Sequence, residues 1–291
     1  MSNAPRVSIC LITYNRSAQL RKTLDSLLVQ TFDDFELVIS DDCSPDDTQQ
    51  VCLEYVKRDS RIRYRRNKRN LGMPGNLNAC IHDSSGECIA DLFDGDIYDP
   101  TLLEKWLRAL DTYPQAAFVF NAYRDLDTDG KERATYREPL PECFPGRILL
   151  EDIFFKRWRF DSPVFGTVMA RRSVYEEAGF FDERFGFFSD VDMWMRLADR
   201  YHVAYINEPL ISLPSKKIVP QEFTLPFWEE QRTVERIFWE ARLRHYRESS
   251  LRLTLEIIRH GSFVMASRIW KLILTVRRRL LNAVKKTGML T

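Results

Sequence analysis

Glycine is scarce in this chain, 11 of 291 residues, and none of it forms a phosphate cradle of the dinucleotide or P-loop type. A pyrophosphate would have to be held by something other than a glycine-rich turn. Histidine is scarcer still: four residues, none in a metal-ligand spacing, which argues against zinc chemistry. The six cysteines form no C-x-x-C pair and lie mostly in apolar contexts. They read as reduced core thiols of a cytosolic protein, not as a disulfide frame. No apolar run reaches the roughly 18 residues of a membrane span. No signal peptide opens the chain, and Ser2-Asn3-Ala4 reads as a remnant of tag cleavage. A net charge of +1 gives a nucleic-acid partner no global electrostatic hold. What remains is an ordinary globular composition, 44% hydrophobic, long enough for one large domain or two.

The most informative stretch is Asp91–Asp99, D-L-F-D-G-D-I-Y-D. It overlaps the apolar run Cys88–Phe93, too short for a helix, so it reads as a buried strand ending in a carboxylate loop. Gly95 lets the backbone bend beneath Asp94 and Asp96. Two hard oxygen donors on one loop suit Mg²⁺ or Mn²⁺, which completes its shell with water and substrate phosphates. The competing reading is a solvated acidic turn.

Strand and helix alternate around this loop. Val7–Ile12 ends in Thr13-Tyr14-Asn15, and Leu20, Leu24, Leu27 and Leu28 mark a helix stopping near Thr31. Phe35–Ser40 runs into Asp41-Asp42-Cys43-Ser44, and Ser44-Pro45-x-Asp47 reads as a helix start. A short strand at Ile62–Tyr64, a helix at Asn76–His82, a helix through Trp106 and a strand at Ala117–Asn121 follow. This alternation predicts an α/β fold with a mostly parallel sheet and helices on both faces. Polar loops after parallel strands gather at one sheet edge, so Tyr14, Asp41, Asp42, Asp94 and Asp96 should meet there. An aromatic ring, carboxylates and a metal loop are what a nucleoside diphosphate requires. With no glycine cradle, the cation must hold the diphosphate.

At this point V-S-I-C-L-I-T-Y-N-R, V-I-S-D-D-C-S-P-D-D-T, N-L-G-M-P-G-N, F-D-G-D, G-F-F-D-E-R-F and S-D-V-D-M-W-M-R-L-A together resemble family 2 glycosyltransferases. The resemblance runs from about Val7 to about Leu213 in the family's order. It implies a GT-A fold and inverting transfer from a nucleotide-sugar, usually a UDP-sugar. Donor-binding positions would be Thr13, Tyr14, Asn15, Asp41, Asp42, Asn76, Asp94 and Asp96. Asp94 and Asp96 would hold the metal, Mn²⁺ or Mg²⁺. Asp190 would take the acceptor proton, with Asp192 as its substitute. Cys43 stands where the family has glycine, and Ser189 replaces an acidic residue that often precedes the base. On spacing alone, Asp190 could equally be a helix N-cap, with Asp192 favouring the positive helix end.

Asp125-x-Asp127-x-Asp129-Gly130 imitates a calcium loop, but its twelfth position is Tyr136, and a hairpin turn is the better reading. Three segments are expected: a nucleotide-sugar half over 5–121, an acceptor half over 122–219 and a helical C-terminal extension over 220–291. Trp158, Phe160, Phe165, Phe187, Phe188 and Trp194 are the aromatics that could meet a sugar ring. In the extension, Ile269, Ile273, Val276, Leu280 and Val284 face away from Lys271, Arg278 and Lys285. Such a helix could lie on an anionic membrane surface, or pack on the catalytic domain or on a second copy in a homodimer. The expectation is therefore a metal-dependent, hexosyltransferase-like enzyme. It would act on a glycan or lipid-linked acceptor in surface polysaccharide synthesis, in the cytoplasm and peripherally on the inner face of the plasma membrane. The competing class is a non-catalytic subunit that binds nucleotide-sugar or glycan. A nucleotidyltransferase would need a glycine-rich Lys/Arg loop near the first strand.

Overall fold

The computed structural model describes residues 4–154, 167–214 and 227–245. The chain divides into two compact units, Met1–Ile237 and Phe238–Thr291. Trp158, Phe160, Phe165, the Lys216-Lys217 segment and the amphipathic stretch 261–286 lie outside the described residues.

The chain opens with β1 (Val7–Thr13), α1 (Ser17–Leu28), β2 (Phe35–Asp41), α2 (Thr48–Val56) and β3 (Ile62–Arg66). Then come α3 (Gly72–Asp83), β4 (Cys88–Phe93), β5 (Ile97–Tyr98), α4 (Leu102–Thr112), β6 (Ala116–Leu126), β7 (Glu132–Tyr136) and β8 (Cys143–Pro145). The described elements close with β9 (Val168–Arg171), α5 (Arg172–Ala178), α6 (Ser189–Ala198), β10 (His202–Pro214) and α7 (Phe227–His245). One ten-stranded sheet runs β3-β2-β1-β4-β9-β6-β10-β5, with β7 on β6 and β8 on β10. β1, β2, β3 and β4 pair in parallel, as the alternation predicts. β5, β7 and β8 pair antiparallel at the far side of the sheet, and β9 inserts antiparallel to both β4 and β6. It leaves β6 and β10 running with the first four strands.

Every residue of β1 and β2 is buried, as strands covered on both faces must be, which is why they read as unbroken apolar runs. One layer comes from α1 and α4: Leu20, Leu24 and Leu27 recur at helical spacing, as do Leu103, Trp106, Leu107 and Leu110. Each such side chain contributes about 1.5–3 kcal/mol by leaving water. Elsewhere the core is aromatic, with Trp194 packed 5.4 Å from Phe118 and edge-on to Phe181.

Local signals misplaced some ends. α2 starts at Thr48, not at Ser44, because the Asp46 carboxylate accepts from both the Thr48 amide and hydroxyl. α3 begins at Gly72, four residues before its apolar pattern. β6 continues five residues past Asn121 to pair with β7. The boundary drawn at 121/122 therefore falls inside a strand. The Asp127–Gly130 segment is the β6–β7 hairpin turn: Asp127 Oδ1 accepts from the Asp129 and Lys131 amides.

One buried acid stands apart. Asp91 on β4 is wholly buried, accepts one hydrogen bond from the Tyr175 hydroxyl at 2.5 Å and leaves Oδ1 without a partner. Burial pushes its carboxyl up from 3.8 to about 8, against the smaller opposing pull of Tyr175. The folded state thus holds this proton more tightly than the unfolded chain. Its contribution to stability is full below about pH 4 and is lost as pH rises towards 8. Asp91→Asn should remove this dependence. The melting temperature of wild type relative to the variant is expected to fall between pH 4 and 8, with the variant the more stable at pH 8. Parallel melting curves at each pH check it.

Candidate active site

The register of three parallel strands assembles the site. Thr13 pairs with Asp41, and Ile12 with Phe93, so β1, β2 and β4 end level and deliver their loops to one edge. The Thr13 hydroxyl donates to Asp94 Oδ2 at 2.7 Å, and Arg16 Nη1 lies 3.5 Å from Asp94 Oδ1. Gly95 has φ +90°, a left-handed conformation that favours glycine. Its amide donates to Thr23 Oγ1, whose own proton goes to the Asp96 carbonyl. Thus α1 clamps the backbone between the two aspartates. Asp94 is partly exposed, while Asp96 is 3% exposed.

The loops after β1 and β2 are laced together. The Asp42 amide donates to the Thr13 carbonyl and the Asn15 amide to Ser44 Oγ. Asn15 and Cys43 are the only non-glycine residues with positive φ among the described residues, +55° and +65°. Half-buried Tyr14 and exposed Asn15 sit at the rim. Asp41 is wholly buried and braces the turn: it accepts from the Ser44 amide and the Tyr64 hydroxyl, with Arg66 3.8 Å away. Asp42 Oδ1 accepts from Asn67 Nδ2 and the Leu71 amide. Asn76 is buried behind it, donating to the Ser40 carbonyl and accepting from Ser40 Oγ and Asn67.

Asp190 lies half-buried in the first turn of α6, its Oδ1 accepting the Val191 amide at 2.8 Å. Asp192 is 2% exposed and pairs with Arg196 at 2.7 Å. Arg196 in turn donates to the carbonyls of Ala178 and Phe180, so the pair fastens α6 to the end of α5. Ser189 Oγ lies 3.9 Å from Met73 Sδ, and Asn78 brackets the backbone of Phe181. These contacts set the start of α6 against α3, whose preceding residue, Leu71, is bonded to Asp42. Phe187, three residues before Asp190, is 55% exposed, whereas Trp194 is core.

Asp94 and Asp96 offer hard oxygen donors of the kind Mg²⁺ and Mn²⁺ take, with positions left for water and phosphate. Among the described residues no three His, Cys, Asp or Glu side chains group as a closed metal cage. Two carboxylates with an open remainder fit a cation shared with a substrate diphosphate. Sequence reasoning missed Arg16, Thr23, Asn67 and Arg66. Thr23 could have been found, since it occupies the buried face of α1 with Leu20 and Leu27.

The sequence profile of glycosyl transferase family 2 matches residues 8–179, more than half of the chain. The chain belongs to that family. A Campylobacter jejuni relative, GalNAc(5)-diNAcBac-PP-undecaprenol beta-1,3-glucosyltransferase, is 39% identical over 93 residues, covering 32% of this chain and 30% of its own. The Staphylococcus aureus TarS 1–349 complex with UDP-GlcNAc superposes with TM-score 0.68 at 18% identity, over 89% of this chain and 73% of that one. In its UDP complex the chain spans 65% of the same TarS segment. The mannosyltransferase PcManGT of Pyrobaculum calidifontis, in complex with GDP-Man and Mn²⁺, gives TM-score 0.55 at 14% identity, over 92% of this chain and 84% of that one. These structures show that this family 2 glycosyltransferase has the GT-A type of α/β fold.

Within the family 2 chain, Cys43 carries the left-handed strain that glycine avoids. Cys43→Gly should relieve about 1 kcal/mol of backbone strain, offset in part by unfolded-chain entropy. The expected result is an equal or higher midpoint of urea unfolding with the slope unchanged.

Proposed function

We propose that the enzyme transfers a sugar, with inversion, from a nucleotide-sugar to a glycan or lipid-linked acceptor of surface polysaccharide synthesis. The observation that carries this reading is the Thr13–Asp94 junction, which sets the loops of three strands around one carboxylate pair at the sheet edge. Tyr14 at the rim would stack on the base, with Asn15 and Asp42 at base and ribose. Asp41 and Asn76 would act from behind, by holding that loop in shape. Asp94 and Asp96 would hold Mn²⁺ or Mg²⁺, which when bound neutralises charge on the leaving diphosphate. The Mn²⁺ and GDP-Man of PcManGT and the UDP-GlcNAc of TarS support a divalent cation and a nucleotide-sugar, and we take UDP-sugar as the donor.

In the step proposed, Asp190 accepts the proton of an acceptor hydroxyl as its oxygen bonds to the anomeric carbon. The bond from that carbon to the diphosphate oxygen breaks, and its electron pair leaves with the diphosphate. Asp190 suits the base better than Asp192, because Asp192 is buried and committed to Arg196. The undecaprenol-linked substrate in the name of the Campylobacter relative supports a lipid-linked acceptor. The basic amphipathic pattern of 261–286 supports a peripheral contact with an anionic membrane, where that acceptor would be met.

Melting curves with UDP-, GDP- and dTDP-sugars, each with and without Mn²⁺, test the donor. The matching sugar at a hundred times its Kd is expected to add about 2.7 kcal/mol, and only when the cation is present. No response from any donor, or a response indifferent to Mn²⁺, sinks the assignment. Asp190→Asn should lower kcat by about 10²–10⁴-fold while UDP binding persists. Asp192→Asn should instead lower stability through the freed Arg196, with kcat largely retained in the folded fraction.

A further inference from the structure

On the strands that follow the carboxylate loop lies a cavity of about 200 Å³, lined by Asn121, Tyr123, Tyr136, Arg137, Glu138 and Tyr205 among others. Its place follows from the register. β5, two residues past Asp94-Gly95, pairs Tyr98 with Ile211 of β10. Ile211 pairs with Tyr123 of β6, and Tyr123 with Tyr136 of β7. Tyr98, Ile211, Tyr123 and Tyr136 thus form one row on one face. Its last member lies about 14 Å along the sheet from the strand that Asp96 leads into, counting three strand spacings.

The cavity is built rather than incidental. β10 bulges opposite it: Ile206 pairs with Asn121 and Pro209 with the next residue, Ala122, so Asn207 and Glu208 are extra. Bulges re-aim side chains and are frequent beside binding sites. Two groups hold this one in place: Arg137 Nη1 donates to the Asn207 carbonyl, and the Tyr205 hydroxyl donates to Asn207 Oδ1 while accepting the Glu138 amide. Tyr136 is 43% exposed, yet its ring is fixed by stacking on buried Tyr123, with centroids 4.7 Å apart and planes 16° from parallel. An exposed aromatic held in one orientation loses little entropy when a ligand covers it.

The lining selects the ligand. A tyrosine face beside amide, guanidinium and carboxylate groups matches a sugar ring, which has an apolar C–H face and a girdle of hydroxyls. Arg137 and Glu138 carry opposite charges, so a neutral ring is favoured over a phosphate. The volume lies below the roughly 300 Å³ at which pockets for drug-sized ligands begin, which fits one ring and not a nucleotide. We propose that this cavity binds one neutral sugar unit of the acceptor glycan, at a position removed from the reacting hydroxyl. Its place in the reaction rests on the transferase reading above, whereas saccharide binding itself does not.

The test uses the full chain, with maltotriose, the trimer of N-acetylglucosamine and β-1,3-linked glucose trimer as probes, followed by saturation-transfer NMR and tyrosine-ring shifts. At least one trimer should bind and shift the Tyr136 ring. Tyr136→Ala should weaken that binding about tenfold, and Tyr136→Phe should retain it. Binding of UDP with Mn²⁺ is measured on all three proteins and should be the same. If no trimer binds, or if Tyr136→Ala binds as wild type does, the inference is overturned even though UDP still binds. Loss of UDP binding in wild type would overturn the donor reading alone, and the saccharide result would still decide the cavity.

Discussion

The site depends on β1 being held in parallel register between β2 and β4. Thr13 reaches Asp94 only because Ile12 lies level with Phe93. A slip of one residue would turn every β1 side chain to the opposite face and carry the Thr13 hydroxyl away from the carboxylate. The register is secured by burial rather than by polar matching. All seven residues of β1 are enclosed, and moving Ile9 or Leu11 out of its place would expose apolar surface or open a void. Packing of a kind that has nothing to do with catalysis thus fixes the positions of the chemical groups.

The aspartates show how the protein deals with buried negative charge. Asp41 and Asp192 are answered by arginines and hydrogen-bond donors, and both serve as braces. Asp91 is met by the Tyr175 hydroxyl, and burial lifts its carboxyl towards neutrality. Asp94 is held more loosely: it accepts from Thr13, and Arg16 lies 3.5 Å away, with the Asp94 and Arg16 side chains 10% and 22% exposed respectively. The Arg16 contact is longer than the 2.7 Å Asp192–Arg196 pair, and Asp94 keeps more exposure than the buried braces. Of these aspartates, the one at the sheet edge is the one least tightly enclosed.

Much of this was legible from the sequence because the informative features were local. Apolar runs gave the strands, helical spacing gave α1 and α4, and D-G-D gave the loop. The unread parts are those that depend on partners far along the chain. Nothing in V-M-A-R announces that β9 will insert antiparallel between β4 and β6. Arg16 and Thr23 gain their meaning only from Asp94 and Gly95, more than seventy positions away. The start of α2 was misread for a smaller reason. Ser44 is a good cap by type, but its hydroxyl accepts from Asn15, and the helix begins at Thr48, whose amide and hydroxyl Asp46 accepts from.

At the carboxylate loop, a strand from the first expected segment, 5–121, is held by one from the second, 122–219. β5 has only two residues and cannot hold itself in place. It is pinned by β10 at Ile211 and Ser212, and the Asp99 amide donates to the Leu210 carbonyl at 2.9 Å. The Tyr98 hydroxyl returns to the Phe93 backbone, accepting from its amide and donating to its carbonyl. The loop bearing Asp94 and Asp96 is thus tied at its start to β1, in its middle to α1 and at its end to β10. The bulge that shapes the tyrosine cavity sits on that same strand, three residues before Leu210. A ligand pressing on the bulge would therefore load the strand that anchors the carboxylate loop, because one strand carries both contacts.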